Sequence, residues 1–229
     1  MDAFTSWDIA AVLWFLATWL GQSWLTEQSP WKDKALSNAI NSARHQWIAR
    51  CSGRDLRMID TAIMAGLQNG TAFFASTSLL AIGGGFTLLH SIDLAVGVVA
   101  NLPVTLSPAN RAAFEVKVIG LIAIYAYAFF KFGWAYRMFN YASILLGALP
   151  YKDQLGTPEM ERAVNRCAAI TVIAGKNFNR GLRAFFMSIG FLGWFIGPAA
   201  LFLSASFLLA VLVRRQFFSD SVKALKEFA

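Results

Sequence analysis

Charge is scarce in this sequence, and that scarcity excludes an ordinary soluble domain. Only 14% of the 229 residues are Asp, Glu, Lys or Arg, whereas 57% are apolar. Soluble domains have about 25% charged and about 45–50% apolar residues. Histidine and cysteine are also scarce, with two of each, and the chain lacks a P-loop, a serine nucleophile elbow and a zinc-protease helix. We therefore expect no cofactor and no metal, and an enzyme is the less favoured class.

The sequence contains long apolar stretches. Four candidate spans approach or exceed the about 20 apolar residues that cross a hydrocarbon core, namely residues 9–25, 61–89, 116–136 and 184–213, of which the third has Lys117 and Lys131 at the edges of its apolar run. Backbone groups in lipid have no water to bind, and the alternating polarity of barrel strands is missing, so helices are predicted. The predicted fold is an all-α, polytopic bundle of about four spans, in a single domain with short amphipathic cytoplasmic helices.

The distribution of basic residues predicts an orientation, because short cytoplasmic loops are enriched in Lys and Arg. Residues 26–60 and 138–183 are rich in both and are predicted to be cytoplasmic, whereas residues 90–110 contain neither and are predicted to lie outside. In a bacterium the inner membrane is the expected location. This asymmetry also accounts for the net charge of +7, so no nucleic-acid partner is expected.

The carboxyl end conflicts with four crossings, which would place Arg214 and Arg215 outside. Two solutions remain open at Gly197-Pro198. One is a re-entrant hairpin, which would imply a pore or pocket because irregular backbone at membrane depth must be buried in protein or line a cavity. The other, which we prefer, is a single tilted helix kinked at Pro198.

Two cytoplasmic loops carry helical signals. Between Ala35 and Leu67, apolar residues recur at three- and four-residue spacing, which is typical of an amphipathic helix. Its polar stripe could face a partner, lipid headgroups or solvent, and consists of Asn38, Asn41, Arg44 and His45. In the other loop Thr157 is a predicted helix cap and Pro158 a first helical residue, with the helix continuing to Ile173.

Polar residues in the second and third spans are candidates for the path of an ion or solute. Ser76, Thr77 and Ser78 could line such a path, with Gly83-Gly84-Gly85 as a flexible break. The alternative is close helix packing, with the hydroxyl groups bonded to their own helix. Lys131 is either a functional cation at membrane depth or a residue that snorkels to the interface, and Arg137 is a candidate of the same kind or a cytoplasmic anchor.

A third candidate lies just before the fourth span. It consists of Asn177, Asn179, Arg180 and Arg183. A helix that began near Asn179 would combine free backbone N–H groups with two guanidinium groups, which suits phosphate or another anion. The alternative is ordinary positive-inside topology with contact to anionic lipid headgroups.

Several strings together resemble the membrane family called domain of unknown function 599. They are Arg44-x-x-Trp47, Phe73-Phe74-Ala75-Ser76-Thr77-Ser78, Tyr127-Ala128-Phe129-Phe130-Lys131-Phe132, Arg137-x-Phe139-Asn140-Tyr141, Phe178-Asn179-Arg180-Gly181-Leu182-Arg183-Ala184-Phe185-Phe186 and Arg214-Arg215-x-Phe217. The resemblance implies a multi-span membrane protein and brings no activity, substrate or cofactor.

The leading functional hypothesis is an oligomeric channel or transporter for a small ion or solute, with anions as one candidate class and the second span along the path. The alternative is a structural or accessory subunit of a larger membrane complex, and a membrane enzyme acting on a lipid or phosphate ester comes third. The expected partners are the lipid bilayer, a second copy or another membrane protein, and anionic headgroups.

Overall fold

The structure is a computed structural model that describes residues 4–100 and 111–227, and every regular element in those ranges is helical. The α-helices are α1 (Ser6–Glu27), α2 (Leu36–Ser52), α3 (Met58–His90), α4 (Ile92–Ala100), α5 (Arg111–Gly147), α6 (Pro158–Phe191), α7 (Gly193–Ile196), α8 (Pro198–Phe217) and α9 (Asp220–Glu227). The predicted all-α class is confirmed. Helix α4 lies within the predicted outer loop, whose residues 101–110 fall outside the described ones.

Four helical stretches are long and apolar enough to cross a membrane, which indicates a membrane protein. They are Ser6–Glu27, Met58–His90, Arg111–Gly147 and Pro198–Leu225. Each includes most of a predicted span, except that the last begins in the middle of the predicted 184–213. Large apolar side chains on these helices face outward, for example Leu80 and Leu203, which are 75% and 74% exposed. Apolar outer surfaces of this kind are suited to contact with the hydrocarbon chains of lipids.

The helix starts follow from short capping sequences. Thr5 and Asp8 form a capping box at α1, in which the Thr5 Oγ1 accepts from the Asp8 N–H and the Asp8 carboxylate accepts from the Thr5 N–H. At α6, the Thr157 hydroxyl oxygen accepts from the Met160 N–H at 3.3 Å, and Pro158 is the first helical residue. The predicted cap at Thr157 is confirmed, but the helix runs on to Phe191, well beyond Ile173.

Helices α3, α5 and α6 pack side by side in antiparallel order, with α5 in the middle. Close approach depends on glycine at several positions, two of which are Gly85 and Gly181. A Cβ on Gly85 of α3 would lie 2.5 Å from Ile122 of α5, and one on Gly181 of α6 would lie 2.7 Å from Phe132 of α5. Helix α3 is continuous through Gly83, Gly84 and Gly85, so the predicted flexible break is wrong and Gly85 serves close packing.

The predicted fourth span is a hairpin, because the chain reverses at Gly197. The Ser204 hydroxyl donates to the Gly190 carbonyl at 2.6 Å, and the Arg215 guanidinium lies 5.7 Å from the centre of the Phe186 ring. These pairs identify the end of α6 and α8 as antiparallel neighbours. Helix α8 also packs on α1, parallel to it: the Trp14 Nε1 donates to the Ser206 hydroxyl, and Leu25 lies beside Val213 and Phe217. The preferred prediction of a single kinked helix is therefore wrong. The chain reverses direction at Gly197, as the hairpin alternative predicted.

The amphipathic segment 35–67 contains all of α2 and the start of α3, and not one continuous helix. Helix α2 ends at Ser52 and α3 begins at Met58. Between them Arg54 forms an ion pair with the fully buried Asp60, and the Arg57 guanidinium donates to the carbonyls of Leu149 and Pro150 near the end of α5. Arg54 therefore ties the segment before α3 to the first turn of that helix, and Arg57 connects the same segment to the end of α5.

Both cysteines are free and fully buried, Cys51 in α2 and Cys167 in α6. Burial raises the pKa of the Cys51 thiol to about 12, and a hydrogen bond to Asp60 and the charge of Asp60 act in the same direction. Burial also raises the pKa of the Cys167 thiol to about 11. Since the thiolate is the reactive form, both thiols are inert at neutral pH in the folded protein.

The hairpin predicts a contrast between two glycines. A Cβ on Gly193 would lie 2.5 Å from the Ser204 Oγ and 2.8 Å from the Ala200 carbonyl oxygen, so Gly193→Ala should destabilise the fold by about 1–3 kcal/mol through overpacking. Gly84 has open space around it, so Gly84→Ala should be neutral or stabilising, since Ala is favoured over Gly in helices by about 1 kcal/mol. Thermal unfolding of both variants in detergent measures the difference. Equal melting temperatures would contradict the hairpin.

Candidate functional site

Two adjoining cavities of about 210 and about 220 Å³ lie where α1, α2, α6 and α8 meet. They share Ser37, Asn179 and Arg183 in their walls, and we treat them together as the basic cavity. The walls come from the carboxyl ends of α1 and α8, the polar stripe of α2 and the middle of α6. The hairpin is what brings the end of α8 back to this point.

Positive charge dominates the basic cavity. Among the described residues, five cationic ones line it, and Glu27 is the one acidic residue in its walls. The cations are Arg44, Lys176, Arg180, Arg183 and Arg215. Most of the other polar residues are amides, which can donate as well as accept, namely Gln22, Gln28, Asn38, Asn41, Asn179 and Gln216. The cavity is therefore rich in hydrogen-bond donors with a net positive charge.

Glu27 at the end of α1 binds both arginines of α6. The Arg180 Nε lies 3.1 Å from each carboxylate oxygen of Glu27. The Arg183 Nη2 donates to the Glu27 Oε1 at 3.0 Å, and its Nη1 donates to the Thr26 hydroxyl at 3.1 Å. The Arg183 side chain is only 8% exposed, against 22% for Glu27 and 39% for Arg180. One carboxylate thus serves two guanidinium groups, which leaves an excess of positive charge.

Arg44 carries a second unbalanced charge. Its guanidinium lies against Gly175, where a Cβ would come within 2.1 Å of the Arg44 Nη1, and that nitrogen donates to the Asn41 Oδ1 at 2.8 Å. Among the described residues no carboxylate forms an ion pair with Arg44. Partial burial lowers the pKa of Arg44, because water is withdrawn from the charged form. Because a partly buried charge without a counter-charge is unfavourable, the Arg44 guanidinium is suited to bind an external anion.

Gln22 places an unsatisfied hydrogen-bond acceptor in the wall of the basic cavity. Its side chain lines the basic cavity and is only 3% exposed. Its carbonyl oxygen Oε1 is buried without a hydrogen-bond partner in the part of the chain that the structure describes. Buried polar groups are almost always hydrogen-bonded, so this oxygen requires a hydrogen-bond donor such as water.

The structure brings together three of the residues marked in the third candidate site. Asn179, Arg180 and Arg183 all line the basic cavity, whereas the Asn177 amide donates to the Ile173 carbonyl of its own helix. The predicted helix start near Asn179 is wrong, because these residues lie in the middle of α6. Their backbone N–H groups are therefore bonded within the helix, and only side chains are available to an anion.

Lys131 and Arg137 lie away from the basic cavity. The Lys131 ammonium group is 5.3 Å from the centre of the Tyr127 ring, one turn earlier on α5. Arg137 is exposed, donates to the Tyr141 hydroxyl at 2.7 Å and lies against the rings of Trp134 and Tyr141. Those contacts are typical of an interfacial anchor.

The hydroxyl groups of α3 do not meet the arginines. Thr77 and Ser78 each donate to a carbonyl one turn earlier in α3, and Ser76 is exposed on the outer surface. Phe74 of α3 packs on Phe132, Phe178 and Phe185 with ring centres 5.5–5.9 Å apart. This apolar contact fills the space between α3 and α6, so the polar residues of α3 and α6 face different regions.

A separate depression, the lateral groove, lies between α1 and α5. It has a volume of about 540 Å³ and is mostly apolar, but Glu27 and Arg180 form part of its wall as well as part of the basic cavity. The ion pair between α1 and α6 thus separates two open spaces.

Sequence reasoning missed Glu27, Gln22 and Arg44 as site residues. Glu27 marks the end of an apolar run, and its partner Arg183 is 156 positions away. The local sequence therefore gave no sign that the two residues form an ion pair. Gln22 is a polar residue inside an apolar run, a signal that could have drawn attention to it. Arg44 was noted as part of a polar stripe, but which neighbour that stripe faces depends on the packing of α2 on α6.

The fold and these cavities define a polytopic helical membrane protein with a basic cavity among its helices. The chain belongs to the family described as protein of unknown function DUF599, whose sequence model matches residues 10–221, and this confirms the resemblance carried by its motifs. Comparisons with curated proteins and with solved structures found no match.

The shared carboxylate predicts a strong effect of Glu27→Gln. Removing the charge leaves the buried Arg183 without an anionic partner, so we expect a loss on the order of 2–3 kcal/mol of stability, below the ~3–5 for a fully buried pair. The matched control is Glu115→Gln, which breaks an exposed pair with Arg111 and should change stability by about 0–1 kcal/mol. Chemical denaturation in detergent measures both. An equal loss in the two variants would mean that the Glu27 contacts are only superficial.

Proposed function

We propose that this protein is a membrane transport protein for a small anion and that the basic cavity is its cytoplasmic binding vestibule. The observation that carries the proposal is the excess of guanidinium and ammonium groups over one carboxylate in a confined space. Basic residues around a pore attract and select anions, and guanidinium groups bind oxyanions through paired hydrogen bonds.

In the proposed topology the amino terminus lies outside and the basic cavity inside. The second half of α6 and α8 each cross the membrane, which with α1, α3 and α5 makes five crossings. Residues 26–60 and 138–183 are then cytoplasmic, and residues 90–110 lie outside. Five crossings also place Arg214, Arg215 and Lys223 inside, in agreement with the positive-inside rule.

The ion pair of Glu27 with Arg180 and Arg183 is the proposed barrier. It forms a wall of both the basic cavity and the lateral groove. An anion that reaches Arg183 from the cavity competes with Glu27 for the same nitrogen atoms, because each guanidinium has a limited set of donors. Displacement of Glu27 would release the end of α1 from α6 and join the two spaces.

The proposal includes assembly of several copies. Helix α3 packs on α5 and leaves Phe73 and Leu80 exposed on its other side, a face that a second copy could cover. Ser76 is exposed on this helix too. A path between copies would therefore bring Ser76 to the anion route, whereas the route within one copy passes the arginines of α6.

The test is anion binding and flux in a purified Arg44→Gln variant. Arg44 has no acidic partner among the described residues, so its replacement should leave the melting temperature unchanged or raised. Anion affinity should fall about tenfold or more, as expected for a lost charged hydrogen bond. The probes are inorganic phosphate and chloride, measured by binding in detergent and by efflux from liposomes. The control is Arg137→Gln, which removes an equal charge outside the cavity.

Transport of at least one probe by the unaltered protein, reduced in Arg44→Gln and retained in Arg137→Gln, supports the proposal. Liposomes that leak no more phosphate or chloride than protein-free ones would contradict it. Equal loss in the two variants would also contradict it, because the effect would then come from total charge and not from the basic cavity.

A further inference from the structure

The lateral groove is an apolar channel along the outer side of the bundle. Val12, Leu16 and Leu20 of α1 form one wall, and Ala123 and Ile124 of α5 form the other. Phe15 and Phe191 close its floor, where their rings pack edge to face with centres 5.3 Å apart. From Val12 to Glu27 it follows α1 for about 22 Å, at 1.5 Å per residue.

Small residues keep the groove open. The Phe191 ring lies over Gly120, where a Cβ would come within 2.7 Å of it, so the floor reaches the backbone of α5. Ala123 is exposed and points into the open space with only a methyl group. A large residue at position 123 would fill the groove, whereas a side chain at position 120 would displace the Phe191 ring of the floor. The depth of the groove therefore depends on this part of the sequence.

The end of the groove near the basic cavity is polar and positively charged. Ser23, Glu27, Tyr127 and Arg180 line it, and the Lys131 ammonium group lies 5.3 Å from the centre of the Tyr127 ring. Glu27 is already shared between Arg180 and Arg183. Among the described residues Lys131 has no acidic partner, so this end is suited to a negative group.

We infer that the lateral groove binds one anionic phospholipid, with an acyl chain along α1 and α5 and its phosphate near Lys131 and Arg180. The apolar length fits a chain from one leaflet, whose hydrocarbon is about 15 Å deep, half of the ~30 Å core. A free inorganic anion would leave the apolar walls empty. A helix of a second copy would cover those walls but leave the Lys131 charge unmatched.

This site does not depend on the proposed transport function, because Lys131 and Ala123 lie outside the basic cavity. It does touch the same ion pair from the other side, since Arg180 lines both spaces. A phosphate at the groove end would compete for Arg180 and thereby favour release of Glu27. The lipid would then act on the proposed barrier as well as fill the groove.

Native mass spectrometry of the purified full-length chain tests the inference, with phosphatidylglycerol and phosphatidylcholine of identical acyl chains as probes. The unaltered protein should retain one phosphatidylglycerol per chain. Ala123→Trp fills the groove and should lower retention of both lipids about tenfold, as for a loss of about 1.4 kcal/mol. The matched control, Ala65→Trp at an exposed position of α3, should bind as the unaltered protein does.

Lys131→Gln separates the headgroup from the chain, and keeps the test informative if Ala123→Trp fails to fold. It should lower the preference for phosphatidylglycerol over phosphatidylcholine about fivefold, the effect of one basic charge near an anionic headgroup, without abolishing lipid binding. Equal lipid retention in all variants would overturn the inference in favour of ordinary boundary lipid. A lipid-free dimer that Ala123→Trp converts to a monomer would overturn it in favour of a second copy.

Discussion

The contact of Glu27 with Arg180 and Arg183 holds the first helix, α1, against α6. It joins the end of the first helix to the middle of α6, 156 residues later in the chain. At the opposite end of α1, Asp8 accepts a hydrogen bond from the Trp194 Nε1 at 2.8 Å. These two polar contacts, with the apolar contact of Phe15 and Phe191 between them, fix the register of α1 along the end of α6. Because a mismatched charge at this depth is costly, few other registers are available.

The functional proposals depend on the same contact. Glu27 has one carboxylate for two guanidinium groups, and Arg44 adds another charge without an acidic partner among the described residues. That excess is what an anion would neutralise. The lateral groove ends at the same ion pair, so a lipid phosphate on one side and a soluble anion on the other would meet the same residues. Both sites follow from the position of Arg180 on the face of α6 between α1 and α5.

Much of the fold could be predicted from the sequence, because span length and helix caps are local properties. Thr157 and Pro158 marked the start of α6 correctly. The continuity of α6 was missed, since Lys176, Arg180 and Arg183 break the apolar pattern and suggest a loop before a new helix. A helix that passes from a polar region into an apolar one has no single hydropathy signature. The reversal at Gly197 was left open for the same reason: a glycine and a proline permit both a kink and a turn.

The candidate site could be predicted only in part. Arg180 and Arg183 were found because basic residues beside an apolar run are conspicuous, whereas Arg44 and Gln22 become site residues only through the packing of α2 and α1 on α6. Tertiary contacts of that kind have no counterpart in local sequence. The hydroxyl groups of α3 attracted attention by composition, yet Thr77 and Ser78 bond to their own helix, as hydroxyl residues in apolar helices commonly do.

The central claim, an odd number of crossings with the basic cavity on the cytoplasmic side, is tested most directly by labelling single cysteines from one side of the membrane. Cys51 and Cys167 are fully buried, so a membrane-impermeant maleimide should report only an introduced thiol. Ser6→Cys and Ser221→Cys are suitable because both serines are exposed. The account predicts that intact cells label Ser6→Cys and that Ser221→Cys reacts only after permeabilisation. Labelling of both positions from the same side would contradict it.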